Sequence, residues 1–159
     1  MISVRLSPIA LFFDDVQACD DAIQIKFLDL VEAAQVWETW FDRDAKGLYD
    51  LPIQSWVVQT PWAYIGTWIE SFNCIDRKNE LPSLIAGCSS WKPENKLLLV
   101  QNRENMVSLS FEGFVKHWHA LLAAFDDGPL LMSETVIGEP VFCFTPIGNV
   151  LKANPGSFV

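Results

Sequence analysis

Ser110–Met132 reads SFEGFVKHWHALLAAFDDGPLLM, and this stretch decides the fold class. Ser110 can cap a helix that begins at Phe111, because a serine hydroxyl accepts from the backbone N–H groups left unpaired at a helix start. Phe111, Phe114, Val115, Trp118, Leu121, Leu122 and Phe125 then recur at three- and four-residue spacing and form one broad apolar stripe. Gly128-Pro129 stops the pattern, since proline lacks an N–H and clashes with the preceding turn. Leu130-Leu131-Met132 follows as a short apolar run of strand character. The predicted order is cap, helix over about 111–125, turn, strand.

Working outward, Lys96–Gln101 and Asn105–Ser110 flank Asn102-Arg103-Glu104-Asn105 and read as a hairpin. A second amphipathic helix is predicted over about 30–42. Asp29 stands at its N-cap with Glu32 three residues on, an aspartate version of the capping box. Leu30, Ala33, Ala34, Trp37, Trp40 and Phe41 share one face of it, while Glu32, Gln35 and Thr39 lie opposite. Leu81–Cys88 reads as a short helix with Pro82 in its first position and Gly87 near its end. Ser55–Gln59 reads as a strand in a segment broken by Pro52 and Pro61. Pro140–Thr145 and Asn149–Lys152 read as strands around a turn at Pro146-Ile147-Gly148. Ile2–Phe13 is expected as an extended edge element, and Asp14–Asp21 as a solvated loop. Strands do not alternate with long helices, so a doubly wound parallel sheet is not expected. The fold class is α+β, a mainly antiparallel sheet packed against two amphipathic helices.

The 159 residues fit one domain, 1–159, large enough to bury about two thirds of the unfolded surface. Half of them are hydrophobic and only 19% are charged, which excludes a disordered chain. No apolar run approaches the ~18 residues needed to cross a bilayer, so no membrane partner is expected. The N-terminal MISVRLSPIALFFDD lacks a small-residue cleavage site, and we read it as a buried strand rather than an export signal. Cys19, Cys74, Cys88 and Cys143 are scattered, with no CxxC or Cys/His pairing to suggest zinc or redox chemistry. Their apolar neighbours mark them as reduced cysteines of a cytoplasmic protein. A net charge of −9 argues against nucleic acid, whose phosphates need concentrated Lys and Arg. That charge suits a basic protein partner, and simple solubility accounts for it equally well.

Several features outline a known pattern. Trp91 precedes Leu97-Leu98-Leu99-Val100, Asn105-Met106-Val107 follows, and the helix carries Phe111, Phe114 and Trp118. Phe125-Asp126-Asp127-Gly128-Pro129-Leu130-Leu131 completes the series. This resembles a family of small uncharacterised proteobacterial cytoplasmic proteins, a domain of unknown function. The resemblance covers the stretch from Trp91 to Ser133 and, more loosely, the 30–41 helix. It departs at Phe111, where relatives carry Trp, and at Ser133-Glu134-Thr135, where relatives carry a basic segment. The resemblance implies the fold unit and no particular activity. The pattern is also similar to small immunity-type proteins that neutralise toxins, an analogy of fold rather than of site.

Asp126-Asp127 is the leading candidate for chemistry, since adjacent carboxylates can share a proton or hold a hard cation. The competing reading is a turn, where Asp bonds its own backbone. His117 and His119 project roughly 200° apart on a helix and cannot share one metal. No nucleophile motif or phosphate-binding loop is present, and no metal or cofactor is expected. Trp56, Trp62 and Trp68 lie where secondary structure is weak, so they are candidates for an aromatic binding surface or for further core. These observations point to an acidic cytoplasmic protein-binding module without catalytic activity. The alternative is an enzyme or small-ligand domain using the Asp126-Asp127 turn.

Overall fold

Leu97, Leu98, Leu99 and Val100 are all buried, so the strand they form is covered on both faces. That single fact requires three layers. The structure, a computed structural model, describes residues 25–135 and 139–155. Its strands are β1 (Ile25–Phe27), β2 (Ala63–Thr67), β3 (Lys96–Val100), β4 (Met106–Ser110), β5 (Leu130–Ser133), β6 (Val141–Phe144) and β7 (Asn149–Ala153). They form one sheet in the order β1-β4-β3-β5-β6-β7-β2, and every pairing is antiparallel. Helices α1 (Leu30–Trp40), α2 (Trp56–Gln59), α3 (Ile69–Asn73), α4 (Glu80–Gly87) and α5 (Phe111–Ala124) complete the α+β architecture.

Side chains alternate across the strands and build two cores. On one face Leu97, Leu99, Val107, Leu131, Phe142 and Val150 pack with Leu81 and Ile85 of α4 and with Phe114, Trp118 and Leu121 of α5. On the other, Leu98, Val100, Met106, Leu130 and Met132 pack with Ala33 and Trp37 of α1 and with Leu51. The two amphipathic helices therefore take opposite faces.

The capping residues set both helices as expected. The Asp29 carboxylate accepts from the Glu32 N–H at 2.8 Å, and the Glu32 carboxylate reaches back to the Asp29 N–H. The Glu32 backbone donor holds the Asp29 carboxyl below its ordinary pKa. Ser110 Oγ accepts from the Gly113 N–H at 2.9 Å at the start of α5. Helix α1 ends at Trp40 rather than Asp42. Val115, expected on the core stripe of α5, is 39% exposed because it lies at the margin of that stripe.

Two local readings need correction. Ser55–Gln59 is not a strand but the single helical turn α2, with the Ser55 side chain accepting from the Val57 N–H. Helix α4 begins at Glu80, so Pro82 is its third residue, where its missing N–H is still one the helix leaves unpaired. Strands β1 and β2 and helix α3 had no counterpart in the sequence reading. The expected Ile2–Phe13 strand, the Asp14–Asp21 loop and Cys19 lie outside the described residues.

Candidate functional site

The second face of the sheet is buried at β3, β4 and β5 and opens towards β7 and β2. There Cys143 and Leu151 are half-buried, and Tyr64, paired with Leu151, is 62% exposed. The chain from Leu48 to Trp62 crosses this end of the face and leaves an apolar groove of about 250 Å³. Tyr49, Val57 and Trp62 line one side; Leu130, Cys143, Pro146 and Leu151 supply much of the rest.

Tryptophan N–H groups hold the overlying chain in place. Trp37 Nε1 donates to the Ala45 carbonyl at 2.7 Å, Trp56 Nε1 to the Trp40 carbonyl at 2.7 Å and Trp62 Nε1 to the Val57 carbonyl at 2.9 Å. Phe41 stacks on Trp37 and Trp56, with ring centroids 4.7 and 5.7 Å away. A donor paired inside an apolar cluster fixes the orientation of its ring, because breaking the bond would strand a buried carbonyl.

Tyr49 forms the rim and is 75% exposed, but its hydroxyl end is tucked over Gly128. A Cβ on Gly128 would stand 3.2 Å from that oxygen, and the residue has φ +73, so glycine is required there on both counts. Burial of the hydroxyl raises the Tyr49 pKa, and the Asp127 and Cys143 side chains add to it. Burial also pushes the Cys143 thiol up to about 11, so it stays protonated at neutral pH and is a poor nucleophile.

The structure separates the five residues singled out in the sequence. Trp62 lines the groove, and Trp56 stands half-buried behind its wall. Trp68 is 7% exposed, belongs to the core of the opposite face and donates from Nε1 to the Thr145 carbonyl at 2.9 Å. Asp126 and Asp127 are exposed in the turn next to Gly128, at the edge of the groove. Their carboxylates accept no hydrogen bond from any described residue. The expectation that they brace the turn through its backbone is therefore corrected. Gly128 makes the turn by its left-handed φ, the Phe125 N–H closes α5 on the Leu121 carbonyl, and the Asp127 N–H donates to Gln101 Oε1 at 3.1 Å.

Arg103 and His119 are engaged away from the pair. Arg103 donates to the Arg43 carbonyl and the Glu38 carboxylate, at 2.6 and 2.7 Å. His119 lies flat on Phe72 with ring centroids 4.0 Å apart. Among the described residues no three His, Cys, Asp or Glu side chains converge as metal ligands would. No described helix is long and apolar enough to cross a membrane.

Sequence reasoning missed Tyr49, Cys143, Pro146 and Leu151 as groove residues. One signal was available: Tyr49 and Tyr64 are the only tyrosines in the chain, and tyrosine is favoured where an apolar surface must also meet water.

The chain belongs to the family described as Protein of unknown function (DUF2947), whose profile matches residues 12–150. That span takes in the strands from β1 to β6 and both amphipathic helices, well beyond the Trp91–Ser133 stretch that carried the resemblance. No curated protein and no solved structure matches it.

Proposed function

We propose that this member of the DUF2947 family is a protein-binding module that captures an apolar side chain of a partner in the Tyr49–Trp62–Leu151 groove. A neighbouring basic residue of the partner would meet Asp126 and Asp127. The observation that carries the proposal is the grouping of solvent-exposed apolar side chains about an apolar groove. Tyr49 forms its rim, Tyr64 stands opposite Leu151, and Ile147, next to Pro146, is 81% exposed. Such a grouping adds nothing to the fold and is the usual mark of a recognition surface. The free carboxylates beside it and the net charge of −9 favour a basic partner. The protonated Cys143 and the unbraced Asp pair give no support to a catalytic reading. In this proposal the protein works in the cytoplasm of proteobacteria, and an immunity-type role, masking a basic toxin surface, is one form it takes.

Selection from a random displayed-peptide library tests the reading. Enriched peptides should carry a large apolar residue within a few positions of Lys or Arg. Tyr49→Asp should weaken their binding at least about tenfold, or about 1.4 kcal/mol. Recovery of peptides that bind Tyr49→Asp as well as wild type would defeat the proposal.

A further inference from the structure

The opposite face of the molecule carries a second concavity that the groove does not explain. Helix α3 and the turn Ile75–Arg77 stand across from the outer side of α5 and leave a trough of about 590 Å³, within the size range of small-molecule sites. Its apolar surface is Phe72, Ile75, Val115 and Trp118, and Ile75 is 79% exposed.

The polar groups of the trough share one character. Lys78, Lys116 and His119 line it, and no carboxylate of the described residues does, although the chain as a whole is strongly acidic. Acids neutralise the neighbouring cations. Arg77 is held by Glu70 and Glu80 at 3.0 and 2.9 Å, and Lys116 by Glu112 at 3.3 Å. Lys78 forms no ion pair with any described residue. The side-chain amides of Asn73 and Asn79, also on the trough, have no hydrogen-bond partner among the described residues and can donate.

His119 supplies a flat wall. Its ring lies 3° from parallel to Phe72, and its Nε2 is 3.0 Å from the Phe72 carbonyl. A carbonyl only accepts, so Nε2 carries the proton, and the ring is fixed by both stacking and hydrogen bonding.

We propose that this trough binds a small, flat organic monocarboxylate, with its anionic group on Lys78 and the Asn73 and Asn79 amides and its apolar body against Ile75, Val115 and the Phe72–His119 stack. One unneutralised ammonium flanked by neutral donors recognises one anionic group, and the apolar walls reward a ring over a chain. The site is separate from the groove and does not depend on it.

The test is a titration of the labelled full chain followed by two-dimensional amide NMR, using indole-3-acetate as the anionic probe and indole-3-ethanol as its neutral counterpart. Saturable shifts are expected at Ile75, Lys78, Val115 and His119, and none at Tyr49 or Leu151. The acid should bind at least about tenfold more tightly than the alcohol, and Lys78→Gln should remove that preference while leaving the remaining spectrum unchanged. Equal affinity for acid and alcohol, an unaltered preference in Lys78→Gln, shifts confined to the groove, or no saturation up to about 5 mM would each overturn the proposal.

Discussion

Trp37 is the residue on which the layer over the second face depends. It is fully buried in α1, its ring stacks on Phe41, and its indole N–H donates to the Ala45 carbonyl inside the cluster. Trp37→Phe keeps an aromatic ring but strands that carbonyl, which costs about 1–3 kcal/mol, and leaves a small void worth about another 1 kcal/mol. Trp37→Ala removes the whole ring, a loss of about 3–5 kcal/mol before the carbonyl is counted and about 4–8 kcal/mol with it. A domain of this size has about 5–15 kcal/mol in total, so the alanine variant is brought close to unfolding. At roughly 2–4 °C per kcal/mol its melting temperature should fall by about 8–32 °C. Urea unfolding followed by far-UV circular dichroism measures both variants without relying on the tryptophan signal that the substitution removes. A Trp37→Ala variant within about 1 kcal/mol of wild type would refute the assignment of Trp37 as the anchor of this layer.

Gly148 has φ +99, and an added Cβ would lie 2.6 Å from Ile69, so Gly148→Ala should lose about 2–5 kcal/mol from backbone strain and overpacking together. A urea midpoint unchanged from wild type would contradict that geometry. Asp126→Asn and Asp127→Asn remove exposed charges that oppose the dipole of α5 and should move the melting temperature by no more than about 2 °C. Neither wild type nor variants should respond to calcium or magnesium; a rise with either ion that the variants lose would establish the pair as a cation site. For Cys143, burial disfavours the thiolate, so the protonated form should persist above the ordinary value of 9.0. Alkylation of that residue, followed by peptide mass spectrometry, should quicken about tenfold per pH unit from pH 8 to 10 and level off only near 11. A plateau at pH 9 would mean the thiol is solvated.

The parts of the fold visible in the sequence are those written locally. Asp29 with Glu32, and Ser110 with the stripe from Phe111 to Phe125, announce α1 and α5 because caps and helical periodicity act over a few residues. The β3–β4 hairpin was legible because its two apolar runs flank a short polar turn. Strand β2 was not, since among the described residues Ala63–Thr67 ends the sheet, its partner there, β7, lies far along the chain, and its residues show no alternating burial. Ser55–Gln59, expected as a strand, is a helical turn that Ser55 caps and that backbone bonds from Gln59 to Ser55 and from Thr60 to Trp56 close. The groove was the least legible part. Its lining comes from the Leu48–Trp62 segment, from strands β5, β6 and β7 and from the turns at Gly128 and Thr145-Pro146, and only tertiary structure brings them together. Spacing alone does not divide seven tryptophans between core and groove: Trp62 lines the groove, whereas Trp68, at the same six-residue spacing, belongs to the opposite core.

The central claim is that the Tyr49 rim of the groove faces another protein. A photoreactive phenylalanine analogue placed at position 49 and activated in living cells tests it directly, with the same analogue at position 75, on the other face, as the comparison. Both side chains are about three quarters exposed, so simple accessibility does not separate them. A discrete protein adduct formed from position 49 and absent from position 75 is the outcome expected. No adduct from position 49, or the same adduct from both positions, would contradict the claim.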